Sequence, residues 1–134
     1  MDSPADCVVV GGGPAGLVAA VYLARFGLTP IVLEHGKSRA AIIPHSRNFP
    51  GYRDGIVGRE LVERLRDQLD AYGIRPVHAE AHTAKRAGET IVVETDAGAF
   101  TGRTLFLGTG IEDVRPTFIS DAEHDRALQS FLLQ

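Results

Sequence analysis

The sequence predicts an α/β domain built on a parallel sheet, and three observations carry that prediction. A short β-branched apolar run at Cys7 to Val10 ends in glycines, the pattern of a strand buried on both faces. A nearly all-apolar helical segment follows at once, and a second apolar run starts at Pro30 and ends in the acid Glu34. Together they make a β-α-β unit of the usual size.

The helix is expected over Ala15 to Phe26, where Leu17, Val18, Ala20, Val21, Leu23 and Ala24 leave almost no polar face, and Gly27 closes it as a C-terminal cap. Such a helix packs on the sheet. Ile31 to Leu33 forms the next strand. His35 to Tyr52, rich in Pro, Gly, Ser, Arg and Asn and without periodicity, reads as loop with at most one helical turn. From Gly58 to Tyr72, Leu61, Val62, Leu65, Leu69 and Tyr72 fall on one helical face, with a Glu60–Arg64 i,i+4 pair on the other and Gly73 at the end. The charged set Glu60, Glu63, Arg64, Arg66 and Asp67 is read as a solvated face.

Ile74 to Ala79, Thr90 to Thr95 and Ala99 to Arg103 read as strands, the last two joined through the hairpin signal Asp96-Ala97-Gly98. Thr104 to Leu107 reads as a further parallel strand that delivers the turn Gly108-Thr109-Gly110. Ser120 and Glu123 make a capping box, followed by an apolar stripe at Ala127, Leu128, Phe131 and Leu132.

Composition narrows the function. The 134 residues are 44% hydrophobic and 23% charged, enough for one domain with a core. A net charge of -3 and a pI near 5.9 supply no basic excess for nucleic acid, and no Lys/Arg run suggests a membrane surface. Met1 to Asp6 carry no positive segment before the apolar run, so neither a signal peptide nor a membrane span is expected, and a cytoplasmic location is. The single cysteine, Cys7, offers no internal disulfide or C-x-x-C pair and reads as a buried hydrophobe.

Chemistry enters at Gly11-Gly12-Gly13-Pro14-Ala15-Gly16. This is a G-x-G-x-x-G turn directly after a strand and at the start of a helix, where backbone can approach a pyrophosphate and the helix N-terminus favours its charge. Glu34, 23 positions after Gly11, ends the second strand where a carboxylate can accept both ribose hydroxyls of an adenosine. These residues point to a Rossmann-like dinucleotide site. They leave NAD and FAD open, since both present the same ADP half, and an acid at Glu34 argues against a 2′-phosphate.

Metal and hydrolytic chemistry find little support. His78 and His82 have i,i+4 spacing but fall in a predicted strand and its loop, with no third ligand, so no metal site is expected. His45 reads as an ordinary loop residue. No Ser-His-Asp or paired-carboxylate set can be picked out, and no catalytic side chain is assigned.

Taken with Asn48-Phe49-Pro50-Gly51-Tyr52 and Leu105-Phe106-Leu107-Gly108-Thr109-Gly110, the glycine turn resembles that of the thioredoxin reductase-like and ferredoxin-NADP reductase-like flavoproteins among the pyridine nucleotide-disulfide oxidoreductases. The resemblance runs from about Asp6 to Arg115. It implies a three-layer FAD-binding domain of parallel sheet, helices and antiparallel β-meander, present here in its N-terminal portion over residues 1–115. Residues 116–134 would be a helix or connection toward an NAD(P)H domain.

The same resemblance implies that Gly11, Gly13 and Gly16, with Pro14 and Ala15, line the FAD pyrophosphate turn, and that Glu34, followed by His35, holds the adenosine ribose. Asn48 would lie near the flavin or ribityl chain, Gly108, Thr109 and Gly110 beside the cofactor, and Ala81 and His82 at the adenine edge. Many members carry Gly-Gly-Gln after the acid, whereas this chain has Ser38-Arg39-Ala40-Ala41, so Ser38 and Arg39 are candidates for phosphate or ribityl oxygens. The family's usual Ala-Thr-Gly is Gly108-Thr109-Gly110 here.

The implied activity is electron transfer from NAD(P)H through FAD to a disulfide, ferredoxin or small acceptor. The NAD(P)H domain, the C-x-x-C that some members carry within it, and the segment that finishes the FAD site are not among these residues. A homodimer, or else poor solubility, is expected from surface left for the missing segments. The other readings are a non-catalytic FAD- or NAD-binding module that needs a partner chain, and a single-domain NAD-dependent dehydrogenase. The latter would more often continue with further β-α repeats.

Overall fold

The computed structural model describes residues 3–112 and 114–132. In chain order, the first half gives β1 (Ala5–Val10), α1 (Pro14–Arg25), β2 (Pro30–Glu34), a 3-10 turn (Arg39–Ile42) and α2 (Gly58–Asp70). β3 (Val77–His78), β4 (Ala81–Ala87), β5 (Thr90–Thr95), β6 (Gly98–Leu107) and α3 (Asp121–Leu132) follow. The six strands lie in the order β3-β2-β1-β6-β5-β4. β3, β2, β1 and the end of β6 are parallel, while β4, β5 and the start of β6 form an antiparallel meander.

Alternation along β1 and β2 divides the core. Cys7 and Val9 on β1 and Val32 on β2 face a cluster completed by Leu17, Ala20 and Val21 of α1 and by Leu61, Val62, Leu65 and Leu69 of α2. Val8 and Leu33 face the other way, onto Ala79 and Val93 of the meander side. The result is three layers, helices, parallel sheet and meander, as the α/β reading expects. Val8, Val9, Leu17, Val32, Leu69 and Val93 are fully excluded from solvent, each such burial contributing about 1.5–3 kcal/mol.

Three readings of the second half are corrected by the structure. Ile74 to Ala79 contains only the two-residue strand β3. β4, whose side chains are almost all exposed, was not anticipated. Ala99 to Arg103 and Thr104 to Leu107 are one continuous strand, β6, antiparallel to β5 through Gly102 and parallel to β1 from Gly102 onward. Gly102 sits at this handover because a Cβ there would come within 2.9 Å of Val8 Cγ2 and 3.0 Å of Val8 N. Tyr72 falls past the end of α2 and is exposed. The capping box is formed, with Glu123 accepting from Ser120 N at 2.9 Å and from Ser120 Oγ at 2.6 Å. The side chains of Phe131 and Leu132, the end of the expected apolar stripe, lie outside the described residues. Among the described residues, no helix is long and apolar enough to cross a membrane.

The entry to β1 is tied to the loop before β2. Asp6 Oδ2 accepts from Thr29 N at 2.8 Å and Thr29 Oγ1 at 2.9 Å, with Arg103 Nη1 3.6 Å from Oδ1. The Thr29 amide first, then its hydroxyl, hold the Asp6 carboxyl below its ordinary pKa. A lowered folded-state pKa means that this contribution is present above the unfolded value and is lost as pH falls through the folded one. The difference in Tm between wild type and Asp6→Asn, open at neutral pH, is therefore expected to close on acidification. A difference that stays constant through the acid limb would show that the ionised carboxylate is not what matters here.

Candidate functional site

The glycine turn sits at the carboxyl ends of β1, β2 and β6, where the parallel part of the sheet opens. β1 ends at Val10 and the chain turns through Gly11, whose φ of +118° is disfavoured for any residue with a Cβ. A Cβ on Gly11 would also strike the Gly108 carbonyl oxygen, and one on Gly16 would strike the Gly11 carbonyl oxygen. The turn, the first turn of α1 and the end of β6 are thus packed backbone to backbone. Gly108 N donates to Val10 O at 2.8 Å and Gly11 N to Leu33 O at 2.8 Å, which fixes the turn to both neighbouring strands.

α1 starts with Pro14 at its first position and has no side chain capping its N-terminus. Proline has no N–H to leave unsatisfied there, and the amides that follow it lack intrahelical acceptors. They remain available to an anion, with the partial positive charge of the helix end behind them.

A cleft of about 650 Å³ opens over this turn, within the size of small-molecule sites. Of the residues singled out from the sequence, Gly11, Gly13, Pro14, Ala15, Glu34, His35, Ser38, Arg39, Ala81, Gly108, Thr109 and Gly110 line it. Gly16 is buried beneath the turn rather than on the cleft surface. Asn48 and His82 are not brought into the lining. Asn48 is exposed in the loop, its Oδ1 accepting from Ser46 Oγ at 2.8 Å, and His82 is exposed on β4.

Sequence reasoning missed several contributors. Gly12, Lys37, Ile43, Glu80, Leu107 and Ile111 also line the cleft. Gly12 could have been found, since it lies inside the fingerprint, and a Cβ on it would run into the Glu34 side chain. The larger omission is Arg66, which is not part of a wholly solvated face. Its Nη2 donates to Glu34 Oε2 at 2.5 Å, with the two side chains 38% and 17% exposed. The available signal was its place between Leu65 and Leu69, at the margin of the apolar stripe of α2.

The comparisons agree with this geometry. The family model described as pyridine nucleotide-disulphide oxidoreductase matches residues 5–130. A thioredoxin reductase from Treponema pallidum is 35% identical over 115 residues, which cover 84% of this chain and 37% of that protein. A ferredoxin–NADP reductase from Ignicoccus hospitalis is 32% identical over 112 residues, 79% of this chain and 36% of that protein. The solved structure of a thioredoxin reductase from Gloeobacter violaceus superposes with a TM-score of 0.77 at 34% identity, covering 90% of this chain and 39% of that one. The chain therefore spans somewhat over a third of the length of these relatives.

Proposed function

Because the chain belongs to the pyridine nucleotide-disulphide oxidoreductase family, we propose that its cleft holds the ADP half of FAD. The protein that carries it would pass electrons from NAD(P)H through the flavin to a disulfide, a ferredoxin or a small acceptor. The observation that carries this reading is the backbone cradle of Gly11, Gly16 and Gly108 at the uncapped N-terminus of α1, with the carboxylate of Glu34 on the adjoining wall.

The residues present fit the group. The free amides of the first turn of α1 would bind the pyrophosphate, with Gly11 making the tight turn and the absence of a Cβ at Gly13 letting the ligand approach the backbone. Glu34 accepts from the adenosine ribose hydroxyls, with Ala81 on the wall beside it. Ser38, beside Gly13, and Arg39, with Lys37 next to them, bring hydroxyl and positive charge to the cleft lining. When bound, the flavin supplies hydride acceptance and onward electron transfer; this chain supplies position and electrostatics. We assign cofactor binding to residues 1–115 and a connecting role to 116–134, and we place the protein in the cytoplasm.

Pairing is part of the same reading. Leu107 and Ile111, which line the cleft, are 66% and 70% exposed, and Val114 and Phe118 further along the chain are exposed as well, apolar surface that supports covering by further polypeptide or a second copy. The purified chain is expected to carry flavin absorption bands, or to acquire them on incubation with FAD, and to release FAD on denaturation. A colourless chain that takes up NAD but not FAD would move the site to the NAD reading.

A further inference from the structure

Glu34 lines the cleft and has its ionic partner outside that lining. Arg66 on α2, 32 residues away in sequence, holds Glu34 Oε2 at 2.5 Å. The same oxygen faces Gly12, where a Cβ would collide with Oε2 and with the Glu34 Cβ. Oε1 has no hydrogen-bond partner among the described residues. Arg66 is not part of the cleft lining, and its Nε is buried without a partner among the described residues. A guanidinium outside the lining is thus placed at one oxygen of an acid that lines the cleft.

We infer that Arg66 is a positioning residue for adenosine ribose recognition. It acts through Glu34, by fixing the carboxylate against the glycine turn with Oε1 presented to the ribose hydroxyls. The inference rests on the nucleotide reading of the cleft. Its physical basis is that a charge-assisted hydrogen bond from a planar donor orients its acceptor. A carboxylate held in one orientation loses less freedom when a hydroxyl binds to it.

The test is calorimetric titration of the full chain with ADP and with 2′,3′-dideoxy-ADP, which differ only in the hydroxyls that Glu34 would receive. Wild type is expected to prefer ADP. Arg66→Met, which keeps the aliphatic stem but not the donor, is expected to bind ADP roughly tenfold more weakly, with dideoxy-ADP unchanged. Arg66→Lys should restore part of the preference and serves as the test variant if Arg66→Met does not fold. An Arg66→Met protein that keeps the wild-type ratio of the two affinities, or weakens both ligands equally, would overturn the inference while leaving the nucleotide reading intact. If Arg66→Lys is the only folded variant, full retention of the wild-type ratio has the same meaning. Wild type that binds neither ligand, or binds both equally, would overturn the reading of Glu34 and the role of Arg66 together.

Discussion

Gly11→Ala is expected to remove nucleotide binding and to cost about 3–5 kcal/mol of stability. That is a large share of the roughly 5–15 kcal/mol that holds a domain of this size. Two effects add at this position. The backbone has φ +118°, and the new methyl would meet the Gly108 carbonyl oxygen. To relieve that contact, the turn must move away from the end of β6, which takes the amides of α1 and the rim at Gly108 out of register. Gly98 separates the two effects. Its φ is +116°, but nothing lies within 4 Å of a Cβ built there. Gly98→Ala should therefore show the backbone strain alone, about 1–3 kcal/mol, with nucleotide affinity unchanged. Urea unfolding followed by circular dichroism, with ADP titration of each variant, makes the comparison. Equal losses in the two variants would mean that the close approach of Gly11 to Gly108 contributes nothing.

The difference between these glycines also shows what the sequence can reveal. The first β-α-β unit was legible because each element carries its own local signal: a continuous apolar run, a helix with hardly a polar face, glycines at the turn and an acid at the end of β2. The two-sided burial of Val8 against Val9 follows from that pattern. β4 was not legible because His82 to Arg86 lie on an exposed edge strand, where neither face selects for alternating apolar residues. The sequence splits β6 in two because the charged Arg103 stands before the apolar run that starts at Thr104, and Gly102, inside the first piece, is what lets the strand lie against β1 at the handover. Arg66 was hidden for another reason. Its partner is 32 residues away on a different element, and no local spacing marks a charge that a helix carries across to a strand end.

The second large effect is expected at Leu69, which has 0% exposure and packs with Val62 and Leu65 in the core between α2, α1 and the sheet. Leu69→Ala removes the transfer energy of the lost atoms and leaves a cavity that helices joined to a sheet can only partly close. The expected cost is about 2–5 kcal/mol. The consequence reaches the site because Arg66 stands one turn before Leu69 on the same helix, and its grip on Glu34 depends on α2 being seated. Leu69→Ala should therefore weaken ADP binding as well as lower the urea midpoint. Arg64→Ala supplies the contrast on the exposed face of α2. Its ion pair with Glu60, at 2.7 Å with side chains 59% and 49% exposed, is a solvent-screened i,i+4 pair that adds little to stability. It is expected to leave ADP affinity at the wild-type value. If Leu69→Ala lowered stability by several kcal/mol but left ADP affinity untouched, the seating of α2 and the orientation of Glu34 would be independent. Equal, small effects for both variants would instead mean that α2 is not anchored through this core.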